Sequence, residues 1–480
     1  MAVFYRLNNH GLLQEIEKRQ TKLKNLSEKE NLLLDKLSKL TKKLSARNLD
    51  NNEVINLREK KKNLEKNLYR LIPEIKPKIF GVEEIYKSLP KNSLLIEYKK
   101  YTPLFNNPNN EEKYIALIIK KNGDINSIDL GLAKKIDDQI KNAYSQSTSL
   151  PEFEFQFDNA QKAWHDLSDL IIAPLKEIIG EVETLFISPD SEINKVPFAA
   201  LSLDKEDQIF SDLFNLRLLT TGRELISLSK KSDTSNRDSV VFANPNFNKF
   251  NNIGHSNIGE KNPLSISQRR SKDLNSAKWN QLPGTSIEGR AVAKLLDAEL
   301  FEKDNATVIA LENQKNNKII HIATHAFYLE NKGNKIENSM LRSGIVFSGA
   351  NFPDANPLDD GYLMALEIAR FNWENTDLVV ISACESGRGE FLSGEGLYGL
   401  KRAINVAGAK SSLLSLWKVN DEATAFFMKS FYEKLIAGES RAEALFKTQR
   451  EFRNHKNENY RHPHIWAAFQ LSGDWRPIDF

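Results

Sequence analysis

One cysteine, Cys384, and one of the eight histidines, His325, sit in contexts that suit nucleophilic chemistry. Cys384 closes the run Leu378-Val-Val-Ile-Ser-Ala-Cys384 just before Glu385-Ser-Gly387. His325 closes the run Ile319-Ile-His-Ile-Ala-Thr-His325. A thiol of ordinary pKa, about 8.5, is only a few per cent thiolate at neutral pH. An adjacent imidazole raises that fraction and can later return the proton to a leaving amine. A lone cysteine is elsewhere most often a small buried hydrophobe, so its surroundings must decide between the two roles. With a single Cys in 480 residues, neither an intrachain disulfide nor a CxxC zinc site can form.

Both runs are apolar and rich in β-branched residues, which predicts buried, parallel strands. In open α/β sheets, sites form beyond the carboxyl ends of the strands. Two neighbouring parallel strands would therefore bring Cys384 and His325 to one edge. Acyl transfer there also needs backbone N–H donors for the oxyanion. The amides of Ala326 and Cys384 are the expected donors, on turns leaving the two strands. This chemistry calls for no metal and no cofactor.

The elements that must position the pair follow from periodicity. Residues 12–44 carry Leu23, Leu26, Leu33, Leu37, Leu40 and Leu44 in a narrow helical stripe, broken only at Glu30. A second stripe, Val54 to Leu71, follows the turn at 48–52 and ends at Pro73. Together they predict a helical, coiled-coil-like hairpin over 1–75, packed on the rest of the chain or held by a regulatory partner. After Pro77, strands alternate with helices. Strands are expected at 93–98, 114–120, 125–130 and 184–188, and helices at 133–146 and 159–179. A polar linker at 229–238 separates this first α/β unit (76–235) from a second (236–480). The second opens with a strand at 239–243 and a long exposed loop through about Gln281. It continues with a helix at 285–297, strands at 318–324 and 378–383, a helix at 396–407 and a strand at 411–417. Helices at 421–437 and 440–454 and a strand near 466–472 complete it.

Bulk properties narrow the function. Hydrophobic residues make up 40% and charged residues 27%, as in water-exposed globular proteins. With 67 basic against 64 acidic residues, the net charge of +3 gives no basis for a nucleic-acid or anionic-membrane partner. No run approaches the roughly 18 apolar residues needed to cross a bilayer, and the N-terminus lacks a secretory pattern. A cytoplasmic location is the expectation.

The segments HIATHA, LVVISACESGRGEFLSGEGLYGLKRAINVAGAKSSLLSLWKVNDEAT and HPHIWAAFQLSGDW resemble the CHAT domain, a bacterial group of caspase-like cysteine peptidases related to separase and caspases. FISPDSEINKVPFAAL, ANPNF and LPGTSIEGRAVAKLL resemble it more weakly, so the likeness covers about residues 77–480. The resemblance implies a caspase-hemoglobinase fold with an inactive first half and a catalytic second half. It also implies Cys384 as nucleophile and His325 as base in a thiol endopeptidase acting on a protein or peptide substrate. Such peptidases usually carry Gly after the histidine, where this chain has Ala326. Asp421 matches the acid that reads a basic P1 residue in separase-like relatives; Asp is also a favoured helix N-cap, and one residue can serve both ends. Glu395, Asp359 and Asp360 are weaker acids for the same pocket. Arg269-Arg270, in the long loop, is a candidate self-processing site. The competing expectation is a catalytically silent caspase-like interaction module, for which Ala326 and the hairpin leave room.

Other motifs have simpler explanations. Gly394-Glu-Gly396-Leu-Tyr-Gly399 is a formal GxGxxG, but ten residues separate it from the preceding strand, so dinucleotide binding is not expected. His321 and His325 are four apart without the Glu of a zincin, on a strand rather than a helix. His321 is expected in the core, and His462 and His464 on the surface or in packing. Trp417 and Trp466 are expected in the core, with a substrate groove as the alternative for Trp417.

Overall fold

The computed structural model describes residues 2–9, single positions between 30 and 71, and residues 79–480 apart from 104–108, 149–154, 204–207, 229–236, 251–277, 329–339, 341, 356–358, 386–393, 418 and 420. The helical hairpin expected over 1–75 lies mostly outside the described residues, as does Arg269-Arg270.

Among the described residues, one 13-stranded mixed sheet organises the chain. Its first unit contributes β1 (Ser93–Tyr101), β2 (Lys113–Lys120), β3 (Ile125–Leu132), β4 (Thr184–Ser188) and β5 (Asn215–Leu218). The second contributes β6 (Val240–Pro245), β7 (Glu299–Lys303), β8 (Ile319–Tyr328), β9 (Ser343–Val346), β10 (Tyr362–Met364), β11 (Leu378–Glu385), β12 (Ser411–Ser415) and β13 (Phe469–Gly473). The order runs β10-β9-β8-β11-β12-β13-β5-β4-β1-β2-β3, with β6 also on β8 and β7 on β6. Strands β7, β6, β8, β11 and β12 are mutually parallel, as are β13, β5, β4 and β1. The two sets meet in the antiparallel β12–β13 ladder, so the carboxyl ends of one set open opposite those of the other.

Eight helices matter below: α1 (Ala2–Asn9), α2 (Ala133–Thr148), α3 (Phe155–Ile171), α4 (Pro283–Leu296), α5 (Val308–Glu312), α6 (Gly394–Ala407), α7 (Asp421–Ile436) and α8 (Arg441–Arg453). Pro283 opens α4 in the first turn, where its missing N–H costs nothing. Helix α4 lies so close to β6 that a Cβ on Gly289 would meet the Ala243 Cβ at 2.3 Å. Only glycine permits that approach, which sets the neighbouring Glu288 under the sheet.

Helix α1 packs on one face of the first unit's strands. Val3 and Leu7 join the small core beneath Leu95, Ile119 and Phe186. Arg6, 3% exposed, reaches Glu97 at 3.0 Å and Asp190 at 3.6 Å. The main core fills the space between the sheet and its helices. In it Trp417 stacks on Trp164 and meets Tyr144 edge-on, and its Nε1 donates to the His464 carbonyl at 2.7 Å. This fixes Trp417 as a core residue and not a groove wall. Trp466 is also buried, donating to the Arg461 carbonyl. His462 caps the short turn Pro463–Trp466, and His464 Nδ1 lies 2.9 Å from the Ser147 carbonyl, so both pack. Burial pushes the His464 pKa below its ordinary value. Among the described residues no helix is long and apolar enough to cross a membrane.

Candidate active site

Strands β8 and β11 are parallel neighbours, and Cys384 is the ladder partner of His325. Paired positions on adjacent strands share a face of the sheet, so the pair far apart in sequence is adjacent in space. The elements that achieve this are local and strongly determined. All ten residues of β8 are buried, as in a central strand covered on both faces.

Strand β8 does not stop at His325. It continues through Tyr328, and β11 continues to Glu385. The expectation that the Ala326 and Cys384 amides lie on turns is therefore corrected. Ala326 pairs with Ile345 of β9 on one side and Glu385 of β11 on the other, because the apolar run Ala326-Phe327-Tyr328 extends the strand. Any donor to an oxyanion at Ala326 must come from within this ladder.

The far side of β8 is split. Strand β6 covers Ile320–Ala323 and β9 covers Ala326–Tyr328, leaving His325 at the gap between them. Phe247, just past β6, and Trp279 fill that gap. Their ring centroids lie 5.0 and 5.3 Å from the imidazole, and His325 is fully buried. Its Nε2 is 2.7 Å from the Asn280 carbonyl oxygen. A carbonyl only accepts, so Nε2 carries a proton and Nδ1 is the basic nitrogen of the neutral ring.

Phe247, Trp279 and Asn280 were not recognised from sequence. They fall inside the stretch expected to be an exposed loop, yet Phe247 and Trp279 are 0% and 2% exposed. Trp279 Nε1 also donates to the Tyr362 hydroxyl at 2.8 Å, anchoring the cluster to β10. The signal available was two aromatic residues within a polar segment, one of them in ANPNF.

The candidate pocket acids separate. Asp421 opens α7, after β12, and Glu395 is the second residue of α6, after the segment that follows Cys384. Asp359 precedes β10, three strands from β11, and lies beside Glu312 of α5. Burial, then the Asp359 charge, raises the Glu312 pKa. The left-handed Gly361, whose Cβ would meet the Ala350 backbone, forms the turn into β10. The adjacent Asp360 instead accepts from the Tyr362 amide.

His321, four residues earlier on β8, is a core histidine. Its Nδ1 lies 3.1 Å from the Tyr432 hydroxyl of α7. Its Nε2 lies 3.1 Å from Glu288 Oε1, an ion-pair distance without hydrogen-bond geometry. Gly394, Gly396 and Gly399 all fall within α6 and form no phosphate-binding turn between strand and helix.

A model of the CHAT domain matches residues 161–474. The chain belongs to the CHAT domain family. The mixed sheet agrees with the α/β class expected from the sequence. Among curated proteins, Tetratricopeptide repeat protein 28 from Homo sapiens is 22% identical over 74% of the chain and 15% of its own length. The Mus musculus protein is 24% identical over 64% of the chain and 13% of its own. The CHAT chain thus spans about a seventh of these relatives. Among solved structures, a Saccharomyces cerevisiae separase–securin complex aligns with 93% of the chain and 27% of its own, at TM-score 0.35 and 13% identity. A complex of Porphyromonas gingivalis RgpB pro- and mature domains aligns with 72% and 77%, at TM-score 0.35 and 10% identity.

Proposed function

We propose that this CHAT domain protein is a cysteine endopeptidase with Cys384 as nucleophile and His325 as base. The observation that supports it is the β8–β11 rung, which pairs the only cysteine with a histidine whose Nε2–H is held by a carbonyl. Neutral His325 takes the thiol proton at Nδ1, and the sulfur attacks the scissile carbonyl carbon. The C–N bond breaks as the imidazolium returns that proton to the leaving amine. Water, deprotonated by His325, then hydrolyses the thioester and regenerates the thiol. The carbonyl behind Nε2 fixes the tautomer and orients the ring through both steps.

Specificity for a basic P1 residue is part of the proposal and rests on the position of Asp421, with Glu395 at the start of α6 as a second acid. Regulation by a protein partner through residues 1–75 is a further part, resting on the apolar stripes there. Fluorogenic peptide amides with Arg, Lys, Asp or Leu at P1 test the reading. Cleavage lost in Cys384→Ala is expected; equal turnover in that variant overturns it.

A catalytically silent interaction module is favoured by one observation. Ala326, the expected oxyanion donor, is flanked by strands on both sides. Intact peptides together with an inert thiol would decide for that alternative.

A further inference from the structure

The carbonyl that holds His325 comes from an irregular piece of chain. Residues 278–282, just before α4, form neither helix nor strand. Asn280 in this segment nevertheless places its oxygen 2.7 Å from His325 Nε2. Without a ladder, such a segment keeps a carbonyl in one place only if its backbone is tied by other groups. Trp279, next to Asn280, is 2% exposed, so its N–H and its C=O both require partners.

Both partners lie on one side chain, 72 positions away in sequence. Asn351 Oδ1 accepts from the Trp279 N–H at 2.8 Å, and Asn351 Nδ2 donates to the Trp279 carbonyl at 2.9 Å. The carboxamide thus exchanges two bonds with Trp279, as a directly opposite residue does in an antiparallel ladder. The second Nδ2 hydrogen goes to Asn248 Oδ1 at 2.8 Å. Only this orientation of the amide serves both groups of Trp279. The Asn351 main-chain amide also donates to the Phe247 carbonyl at 2.9 Å. One residue between β9 and β10 therefore ties down both aromatic residues that flank the imidazole.

We propose that Asn351 is a positioning residue for His325. Its carboxamide fixes the Trp279 backbone so that the Asn280 carbonyl keeps the imidazole proton on Nε2. The inference rests on the reading of His325 as the base, and Asn351 acts through Trp279 and Asn280 rather than on the reacting atoms. When the two bonds are lost, the peptide between residues 279 and 280 can turn and its neighbour's carbonyl leaves Nε2. The neutral ring then populates both tautomers, and the one with its proton on Nδ1 offers Cys384 a donor where a base is needed.

The tautomer can be read directly by 1H–15N NMR of the full chain labelled at its eight histidines. Spectra are taken at pH 8.5, above the ordinary histidine pKa, and the His325 signals are assigned by their loss in His325→Ala. Wild type should show the Nε2–H form alone. Asn351→Ala should show a mixture, with an Nδ1–H signal that wild type lacks. Asn351→Asp keeps an acceptor for the Trp279 N–H and loses the donor to the Trp279 carbonyl. It should shift the tautomer in the same direction by less, and it carries the test if the alanine variant does not fold. Asn248→Ala removes the third bond of the Asn351 amide without touching Trp279, and should keep the wild-type tautomer. An unchanged Nε2–H form in folded Asn351→Ala, or in folded Asn351→Asp where only that variant folds, overturns the proposal. So does a shift in Asn248→Ala as large as in Asn351→Ala, since a loosened loop would then explain both. The readout needs no turnover, so absent peptide cleavage counts against the peptidase reading and an unmoved tautomer against Asn351.

Discussion

His325 Nε2 donates to the backbone carbonyl of Asn280 across 2.7 Å, and this bond determines which ring nitrogen can act as a base. Because the acceptor is main chain, no side-chain substitution at position 280 removes it. What can be varied is the aromatic pair that holds the ring against it. Phe247 and Trp279 flank the imidazole at 5.0 and 5.3 Å.

Phe247→Leu keeps the volume apolar but loosens the ring. If His325 is the base, kcat for peptide cleavage should fall about tenfold with KM little changed, since about 1.4 kcal/mol of orientation is worth that factor. Steady-state kinetics on the best peptide amide provide the check. A rise in KM at constant kcat would place Phe247 in substrate binding instead.

The Glu288–His321–Tyr432 cluster under β8 is fully buried. Burial, and next the Glu288 charge, push the Tyr432 phenol well above its ordinary pKa. Removing one member of such a buried set leaves the rest uncompensated. Glu288→Ala should therefore cost on the order of 3 kcal/mol, read from urea unfolding. Loss below about 1 kcal/mol would show that the cluster is not a charged unit.

Lys401, on α6, is buried with no hydrogen-bond partner for Nζ among the described residues. Desolvation, opposed by Glu224, pushes its pKa down to about 8. The unfolded chain, with Lys near 10.5, then binds more protons between pH 8 and 10.5, so folding stability rises with pH across that window. Below pH 8 the lysine destabilises the fold by on the order of 3 kcal/mol. Lys401→Met should raise the urea midpoint at pH 7 and flatten the rise between pH 8 and 10. An unchanged pH profile would contradict this origin.

Asp421→Asn should leave cleavage after Leu unchanged and reduce cleavage after Arg at least tenfold, as expected when a charge-paired pocket loses its charge. Parallel assays of Arg and Leu substrates measure the ratio. If discrimination is intact, Asp421 serves only as the start of α7.

Much of this architecture was legible because apolar periodicity is strong where strands are buried on both faces. The runs ending at Cys384 and His325, and the strand Thr184–Ser188, fell where expected. Short strands with weak patterning were not recognised: β5 is only partly buried, β7 is mostly partly buried, and β9 and β10 span four and three residues. The extension of β8 to Tyr328 also escaped notice, since an aromatic pair after His325 looks the same in a turn or a strand. The hardest feature was the support of His325. Trp279 and Phe247 are brought to it by the gap between β6 and β9, a tertiary feature that no local pattern records.

The most direct test of the Cys384–His325 relationship uses the fact that the chain has one thiol. Alkylation by iodoacetamide at pH 7, followed by intact mass, reads Cys384 alone in wild type and in His325→Ala. The account predicts that the wild-type thiol reacts at least tenfold faster than the variant's. Equal rates in the two folded proteins would mean that the rung brings the residues together without coupling them, and would contradict the proposed function at its centre.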